Sequence, residues 1–325
     1  MKVTIYGLGE VLLRFTPPNH ELLKNARALN IQTGGAELNT LVTLAGFKQD
    51  TAMLTTLPQD SLKDLVEQTM RSSNVNTKFI DHFEGRIGTY YMEEGFGYRS
   101  GQVIYDREHS TFAQNGYEHI QQIDFSDGDY LVLTGITLAV NSQIRDNIVD
   151  ILTKLKEQGV KLVFDINYRG NLWSTSEAIP VIKSVLSFVD ILLFGKKDAT
   201  HLLATNSESD DIETCARTIQ AQYNIPIMAS SNRDITESTM QGIMLIQDKF
   251  ITSPKYQYTV LNRIGAGDAF TAGIVHGLIQ QWNLAQVIDF ATKCSVLQHT
   301  TNEDSLSIEE QDILNLSANV GELKR

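Results

Sequence analysis

The sequence predicts an α/β protein in which helices cover both faces of a mostly parallel sheet, with a smaller β-rich insertion. From Tyr130 onward, short apolar segments alternate with amphipathic segments of helical length. Such alternation is typical of parallel sheets that are covered on both faces. Residues 79–105 differ, because they are rich in tyrosine, phenylalanine, glycine and β-branched residues. That composition indicates hairpins lying outside the main sheet.

The first part of the chain is predicted to contribute two strands and two helices. Strand segments are recognised as short apolar runs, and helical segments as apolar residues recurring every three or four positions. By these criteria the strands are Val3–Leu8 and Thr51–Leu57, and the helices are Ala36–Gly46 and Leu62–Ser72. Asp60 or Ser61 is suited to cap the second helix.

The elements after residue 130 follow the same rules. The strands are predicted at Tyr130–Thr134, Lys161–Ile166, Ile191–Phe194 and Ile227–Ser230, followed by a hairpin of Gly242–Ile246 and Phe250–Thr252. The helices are predicted at Ser142–Gln158, Ser176–Phe188, Asp198–Leu203, Ile212–Tyr223, Gly265–Gln281, Leu284–Gln298 and Ile308–Leu316. Ligands of α/β proteins bind at the carboxyl ends of the strands, so the insertion is expected to form a lid there.

Composition excludes several functional classes. The 325 residues carry a formal net charge of −12, which disfavours a nucleic-acid or membrane-surface binder, since both need a basic face. Cys215 and Cys294 lack any metal or CxxC spacing, so we expect two reduced, buried thiols. The sequence starts without a basic cap before a long apolar run, and no stretch of about 18 apolar residues occurs. We therefore expect a cytoplasmic protein without a signal peptide.

The strongest chemical signal is the segment Asn262–Gly273, NRIGAGDAFTAG, which begins a helix. Gly265, Ala266 and Gly267 bring backbone N–H groups together at the positive helix end, where an oxyanion of a transferring phosphoryl group is stabilised. A carboxylate in this turn repels phosphate, so Asp268 is better suited to accept a proton from an attacking hydroxyl. A plain glycine-rich turn with an acidic residue is the structural alternative.

Two other nucleotide-binding motifs fail on spacing. Gly7 and Gly9 follow the first strand, but the third glycine of a dinucleotide fingerprint would fall on Leu12. No acidic residue closes a strand about 20 residues later, as that fingerprint requires. The P-loop sequence is absent from the chain, and the histidines show no metal-ligand spacing.

Three segments resemble signatures of the ribokinase-like, or PfkB, family of carbohydrate kinases. GAGDAFTAG at 265–273 resembles the carboxy-terminal signature, and GGAELN at 34–39 resembles the amino-terminal GG-x-x-x-N. Residues 165–173 resemble a D-x-N-x-R-x-x-x-W segment. The resemblance implies a ribokinase-like three-layer αβα core with a mostly parallel sheet and a small β-rich lid. It also implies a single kinase domain over 1–325, with lid strands from about 10–33 and 79–110 inserted.

The resemblance implies ATP-dependent phosphorylation of a sugar hydroxyl, with ATP and Mg²⁺ as the nucleotide and ion. Asp268 would be the catalytic base, and the turn of Gly265, Ala266 and Gly267 the anion site. We assign no metal ligand. ATP contacts are implied for Asn167, Ser230, Arg233, Gly265 and Gly267. Substrate contacts are implied for Gly34, Gly35, Tyr90, Tyr105, Arg107, Arg169, Asp268 and Asp304.

Within the family, the sequence is most similar to kinases of 2-keto-3-deoxygluconate. Gly88-Thr-Tyr90 and Tyr105-Asp-Arg107 resemble the lid residues of that group, and Arg169 resembles its carboxylate-binding arginine. Guanidinium groups bind carboxylates through paired donors. We therefore expect phosphorylation of the terminal hydroxyl of this acid, giving its 6-phosphate, and a homodimer formed through the lid.

Several alternatives stay open at the level of sequence. A fructokinase or other ketose kinase would share the glycine signatures but would not need Arg107 and Arg169. A non-catalytic sugar-binding regulator is a further alternative. Each site residue also has a structural alternative, which is hairpin packing for the tyrosines, a surface ion pair for the arginines and an exposed acidic loop for Asp304.

Three segments depart from the family pattern. Asn262 stands where related kinases have an aspartate that helps hold a monovalent cation, which puts a potassium requirement in doubt. Gly195–Asp198 replaces the usual N-x-x-E, and Ser230–Ser238 replaces a T-L-G-x-x-G segment. The nucleotide contacts are therefore the least defined part of the predicted site.

Overall fold

The computed structural model describes residues 3–116, 120, 123–203 and 211–316. Its strands are β1 (Thr4–Leu8), β2 (Leu12–Thr16), β3 (Asn30–Gly34), β4 (Asp50–Pro58), β5 (Val75–Asn76), β6 (Ile80–Phe83), β7 (Gly88–Glu93), β8 (Gln102–Asp106), β9 (Tyr130–Thr134), β10 (Lys161–Asp165), β11 (Val189–Leu193), β12 (Ile227–Asp234), β13 (Thr239–Ile246), β14 (Lys249–Thr252) and β15 (Tyr256–Gln257). In this part of the chain, eleven strands form the main sheet and four form a second, smaller sheet.

The helices are connected to these strands in the predicted alternating pattern. They are α1 (Ala36–Gly46), α2 (Leu62–Ser72), α3 (Thr111–Gln114), α4 (Gly135–Val140), α5 (Ser142–Asp146), α6 (Ile148–Glu157), α7 (Thr175–Leu186), α8 (Lys196–His201), α9 (Ile212–Tyr223), α10 (Ala266–Ile279), α11 (Leu284–Gln298) and α12 (Glu310–Leu314). Among the described residues, no helix is both long and apolar enough to cross a bilayer.

The main sheet is parallel except at one edge. Its order is β14-β13-β12-β11-β10-β9-β1-β4-β5, with β15 also pairing with β13 and β6 with β4. Strands from β12 to β5 pair in parallel, whereas β13 pairs antiparallel with its neighbours. Parallel strands bring their carboxyl ends to one edge, so the loops after β1, β10 and β11 lie together.

Successive residues of each central strand face opposite helical layers. Ile5 and Val132 belong to the core that α1, α10 and α11 cover, whereas Tyr6 and Leu131 belong to the core covered by α6, α7 and α9. Both layers exclude water from the sheet, which is why these strands read as continuous apolar runs. Cys215 and Cys294 are both buried, in agreement with the prediction.

The smaller sheet, here called the lid, has the order β3-β2-β7-β8. Its strands β2 and β7 pair in parallel, and the two outer pairs are antiparallel. The register places Arg14 opposite Tyr90, and Tyr90 opposite Tyr105, on one face of the lid. Residues 79–83 are not part of it, because β6 pairs with β4 of the main sheet.

Two helix predictions differ from the structure. The single helix expected at Ser142–Gln158 is interrupted at Asn147, whose φ of −111° and ψ of 11° are not helical. The short helix α4 precedes it and was not predicted. The last helix is confined to Glu310–Leu314, shorter than the predicted Ile308–Leu316. Short polar breaks of this kind leave the apolar spacing almost unchanged, so periodicity does not reveal them.

Candidate active site

A cleft of about 450 Å³ lies between the lid and the loops at the carboxyl edge of the main sheet. Lid residues lining it include Tyr90, Tyr105 and Arg107, and the loop after β10 contributes Asn167 and Arg169. The start of α10 completes the cleft with residues Gly265, Ala266, Gly267 and Asp268. The cleft therefore brings together residues from all three signature segments.

The turn before α10 requires glycine at its first position. Gly265 has a φ of 76°, in the left-handed region, and a Cβ there would lie 1.9 Å from the backbone oxygen of Asp304. Gly267 is different, because a Cβ at that position would meet nothing within 4 Å. Gly265 therefore shapes the turn, whereas Gly267 leaves room for a ligand beside the first N–H groups of α10.

Asp268 lies in the first turn of α10 and is held by the first turns of α1. Asn39 Nδ2 donates a hydrogen bond of 2.7 Å to Asp268 Oδ2. The pKa of Asp268 is raised to about 7, chiefly by burial and also by the nearby carboxylates of Glu37 and Asp304, while Asn39 and Arg169 oppose the shift. A carboxyl group with a pKa near the working pH is suited to general-base catalysis.

Glu37 is a buried carboxylate of the site that the sequence analysis missed. Its side chain is 1% exposed and lines the cleft. The backbone N–H of Thr134, at 3.0 Å, and the hydroxyls of Thr134 and Thr137, at 2.8 and 2.7 Å, donate to Glu37 Oε1. Burial raises the pKa of Glu37. The sequence signal that could have revealed Glu37 was an acidic residue inside the GGAELN signature, because a carboxylate within a predicted binding turn needs a partner or a function.

The end of β10 adds a second carboxyl group and a cation. The backbone N–H of Asn167 donates to Asp165 Oδ1 at 3.1 Å, and Asn167 adopts a φ of 38°, a turn conformation that asparagine tolerates. Burial, with the charges of Asp268 and Asp198, raises the pKa of Asp165 to about 8. Arg169 is exposed and opposes the upward pKa shifts of Asp165, Asp198 and Asp268. Its guanidinium therefore acts at the mouth of the cleft, near the predicted base.

Arg107 is placed in the cleft but already has an anionic partner. Its NH2 group lies 2.5 Å from Glu10 Oε2, and its Nε donates to the same oxygen at 2.7 Å. The hydroxyl of Ser110 donates a short hydrogen bond to the other oxygen, Glu10 Oε1. Arg107 also lies 5.7 Å from the centre of the Tyr105 ring. Glu10 therefore already compensates the charge of Arg107, and a contact of Arg107 with substrate stays a prediction.

Asp304 is not in an exposed loop, which was the structural alternative. It is 3% exposed, pairs with Arg14 through Oδ1 at 2.8 Å and accepts a 3.0 Å hydrogen bond from the Tyr90 hydroxyl through Oδ2. Burial raises the pKa of Asp304 to about 6. Gly34 does not line the cleft. It lies directly against the Asp304 carboxylate, since a Cβ at this position would be only 2.2 Å from Asp304 Oδ2. Gly35, in contrast, lines the cleft itself.

The far side of the cleft contains the predicted nucleotide residues, with one correction. Arg233 lines the cleft, but Ser230 is buried within β12 and does not. Ser231 lines it instead, because neighbouring residues of a strand face opposite sides. His299 also lines this side and donates through Nδ1 to the backbone oxygen of Ser295 at 2.7 Å. Burial lowers the pKa of His299, which favours the neutral ring.

The residues present do not fit a monovalent cation at Asn262. This side chain is neutral and 2% exposed, and its Oδ1 accepts a 3.0 Å hydrogen bond from the N–H of Ile264. The facing backbone oxygen of Asn302 accepts hydrogen bonds from Arg14 and Gln32. Within the described ranges, no group of three His, Cys, Asp or Glu side chains is arranged to hold a metal ion.

Comparison with known proteins agrees with this geometry. The family model described as pfkB family carbohydrate kinase matches residues 3–311. A 2-dehydro-3-deoxygalactonokinase of Haloferax volcanii is 25% identical over 94% of this chain and 93% of its own length. A 2-dehydro-3-deoxygluconokinase from Thermotoga maritima, known from its crystal structure, is 26% identical. Its TM-score is 0.91, over 97% of this chain and 98% of that one.

A further solved structure leads to the same assignment. A PfkB family carbohydrate kinase from Listeria grayi is 29% identical, with a TM-score of 0.87 over 95% of this chain and 98% of that one. The predicted ribokinase-like fold is therefore confirmed. Because the family model spans almost the whole sequence, the chain belongs to the pfkB family of carbohydrate kinases and is a phosphotransferase acting on a sugar hydroxyl.

Proposed function

We propose that this kinase transfers the γ-phosphoryl group of ATP to the terminal hydroxyl of a 2-keto-3-deoxy sugar acid. The expected product is the 6-phosphate of 2-keto-3-deoxygluconate or of its galactonate epimer. The observation that carries this proposal is the position of Arg169, an exposed guanidinium that lines the same cleft as Asp268. In this proposal the carboxylate of the acid pairs with Arg169 while its terminal hydroxyl faces Asp268.

Asp268 acts as the general base in this proposal. Its carboxylate removes the proton from the terminal hydroxyl as that oxygen attacks the γ-phosphorus of ATP. The N–H groups at Gly265, Ala266 and Gly267 stabilise the charge on the transferring group, since they lie at the positive end of the fourteen-residue helix α10. Closure of the lid then excludes water, which would otherwise attack ATP.

ATP lies, in this proposal, along the side of the cleft formed by Asn167, Ser231, Arg233 and His299. Arg233 offers a cation for its phosphates or ribose, because it lines the cleft on this side. A Mg²⁺ ion would be held mainly by ATP oxygens and water, as Mg²⁺ prefers, and the carboxyl group of Asp165 lines the same cleft. When bound, Mg²⁺ would neutralise phosphate charge during transfer.

We also propose a single kinase domain over 1–325 and a homodimer formed through the lid. On the lid face opposite Tyr90, the register aligns Phe15, Ile31, Tyr91 and Ile104 across four strands. Ile31 is 52% exposed and Ile104 is 46% exposed. A second lid packed on this apolar row would remove it from water. A cytoplasmic location stays a prediction from the sequence.

One observation favours a neutral ketose, as in a fructokinase, as the second candidate substrate. Glu10 compensates the charge of Arg107, so only one of the two predicted arginines is available to a carboxylate. The ketose alternative would leave Tyr90, Tyr105 and Asp304 to bind hydroxyl groups. The Haloferax volcanii and Thermotoga maritima kinases are named for sugar acids, which supports the acid.

A coupled ADP-release assay with Mg-ATP separates the candidates. Initial rates are measured against 2-keto-3-deoxygluconate, its galactonate epimer and fructose across a concentration series. The proposal expects kcat/KM for an acid to exceed that for fructose by at least about tenfold, as one ion pair in a partly dry site contributes. Preference for fructose would contradict the acid and leave Asp268 as the base.

A further inference from the structure

Two loops meet beneath the turn that precedes α10. The first, here called the anion loop, is residues 262–265, and the second, the distal loop, is residues 302–304. They touch where the backbone oxygen of Asp304 packs against Gly265, close enough that any Cβ would clash. The position of the distal loop therefore determines the shape of the turn that would hold the transferring phosphoryl group.

Gln298 joins the two loops through its side-chain amide. Gln298 is fully buried, and its Nε2 donates to the backbone oxygen of Ile264 at 3.0 Å and to that of Glu303 at 2.6 Å. Two carbonyl acceptors require the nitrogen at this position, so the orientation of the amide follows from its surroundings. A nitrogen donor thus bridges two oxygens that would otherwise face each other.

Arg14 joins the same distal loop to the lid. It is among the largest fully buried side chains, at 1% exposure, and its NH2 group donates to the backbone oxygen of Asn302 at 2.7 Å. The same group lies 2.8 Å from Asp304 Oδ1. Gln32 Nε2 donates to the Asn302 oxygen at 2.9 Å, and Asn262 Nδ2 reaches it at 3.4 Å. Four nitrogen-donor contacts and one full positive charge therefore converge on the distal loop.

We propose that Arg14 and Gln298 take the place of a monovalent cation, so that phosphoryl transfer by this kinase needs neither potassium nor sodium. An alkali ion bridging the loops would need several oxygen ligands. The oxygens of Asn302, Glu303 and Ile264 and the side-chain oxygen of Asn262 already accept N–H groups. The charge of Arg14 would also repel such an ion. The two side chains are positioning residues, since they act on the anion loop through Asp304 and Ile264.

The inference rests on the kinase activity of the family and not on the identity of the sugar. The first test uses the unmodified chain with whichever sugar gives the highest kcat/KM. Rates are compared in KCl, NaCl and choline chloride at equal ionic strength. We expect kcat and KM for ATP to agree within about twofold among the three salts. Activation of about tenfold or more by K⁺ over choline would overturn the proposal.

Arg14→Gln is the informative variant, because it removes the charge and keeps a polar side chain. We expect kcat of this variant in choline chloride to be lower than that of the unmodified chain by about tenfold or more. Replacing choline by K⁺ should then raise kcat of the variant by about threefold or more. Arg14→Lys should lose less, because it keeps the charge. A purely structural role would give the same loss in every salt, and that result would overturn the proposal. Arg217→Gln is the matched control, since Arg217 pairs with Glu213 on the distant helix α9 and should show no salt-specific change.

A second variant makes the test independent of the Arg14 substitution, and a second kind of measurement makes it independent of catalytic turnover. Gln298→Glu replaces the bridging donors by oxygens, so it should acquire a K⁺-specific rise in Tm that the unmodified chain lacks. Calorimetric binding of a non-hydrolysable ATP analogue, in KCl and in choline chloride, reports the same dependence without any sugar. A K⁺-specific rise in Tm or in analogue affinity of the unmodified chain would contradict the inference, even if every sugar tested failed as a substrate.

Discussion

Asn39 Nδ2 donates a 2.7 Å hydrogen bond to Asp268 Oδ2. This contact joins the first turns of α1 and α10, which are separated by 229 positions in the sequence. The hydroxyl of Thr40 also lies 3.4 Å from the backbone oxygen of Asp268. One side of the Asp268 carboxylate is thus held by the amino-terminal signature, which leaves the other oxygen to face a substrate.

Replacing Asp268 by asparagine tests its role as the base. The amide cannot accept the hydroxyl proton, so we expect kcat to fall by about 10²–10⁴-fold, with sugar binding retained. ADP-release rates and calorimetric sugar binding measure the two effects separately. Asp150→Asn, on the exposed surface of α6, is the control for loss of one carboxylate. Nearly intact turnover by the Asp268 variant would show that the base is elsewhere.

The pH dependence of kcat/KM follows from the pKa of Asp268. Because burial raises that pKa to about 7, and the ionised form is the one that accepts a proton, kcat/KM should rise through about pH 7 and then level off. Glu37 contributes to the upward shift, so Glu37→Gln should move the rising limb to lower pH. A midpoint that is the same in both proteins would contradict the coupling between these carboxyl groups.

The glycines of the turn should respond differently to alanine. Gly265→Ala introduces a Cβ at positive φ against the backbone of Asp304, so we expect a loss of about 1–3 kcal/mol in the free energy of unfolding. Gly267→Ala should leave the Tm nearly unchanged and raise KM for ATP, since its Cβ enters open space beside the turn. Gly46→Ala, at the end of α1 with equally open surroundings, is the control. A larger Tm loss for Gly267→Ala than for Gly265→Ala would exclude this division of roles.

Arg169→Lys distinguishes an acid from a neutral substrate. Lysine keeps the charge but loses the paired donors of the guanidinium. We expect KM for the sugar acid to rise by about tenfold and KM for fructose to change by less than about twofold. The measurement is a set of paired Michaelis–Menten series, with Arg217→Lys on α9 as the control. Equal changes for both sugars would remove the assignment of Arg169 to a carboxylate.

Glu10→Gln releases Arg107 from its internal partner. A buried arginine without a counter-ion destabilises the folded state, so the Glu10→Gln variant without ligand should have a lower Tm than the unmodified protein. A sugar acid whose carboxylate reaches Arg107 would supply the missing counter-ion. Its addition should therefore raise the Tm of the variant more than the Tm of the unmodified chain. Thermal shifts with the acid and with fructose measure this difference. The same shift with both sugars would place Arg107 outside the carboxylate site.

The elements that depend on local signals were predicted well. The bounds of α1, α2, α9 and β9 agree with the prediction, because apolar spacing and neighbouring turn residues are enough to define them. The GAGD turn and Asp268 were recognised for the same reason, since their chemistry is contained in a few consecutive residues.

The missing parts of the site depend on pairing between distant segments. The sequence neighbours of Arg14 give no sign that it contacts Asn302 and Asp304. The neighbours of Arg107 likewise give no sign that it pairs with Glu10. A charged residue within an apolar strand, as in Val11-Leu-Leu-Arg14-Phe15, was the only local signal, because burial of an arginine requires a partner. Ser230 was misassigned since a shift of one residue along β12 reverses the face of the strand.

The pairing of Arg14 with Asn302 has a consequence for when activity can arise. The two residues are 288 positions apart, so a nascent chain can present the Asp268 turn before the segment that shapes it has been made. Until residue 304 is available, Gly265 lacks the backbone that packs against it and the lid lacks its anchor. Transfer competence should therefore appear only once the chain extends through residue 304 and has packed against Gly265.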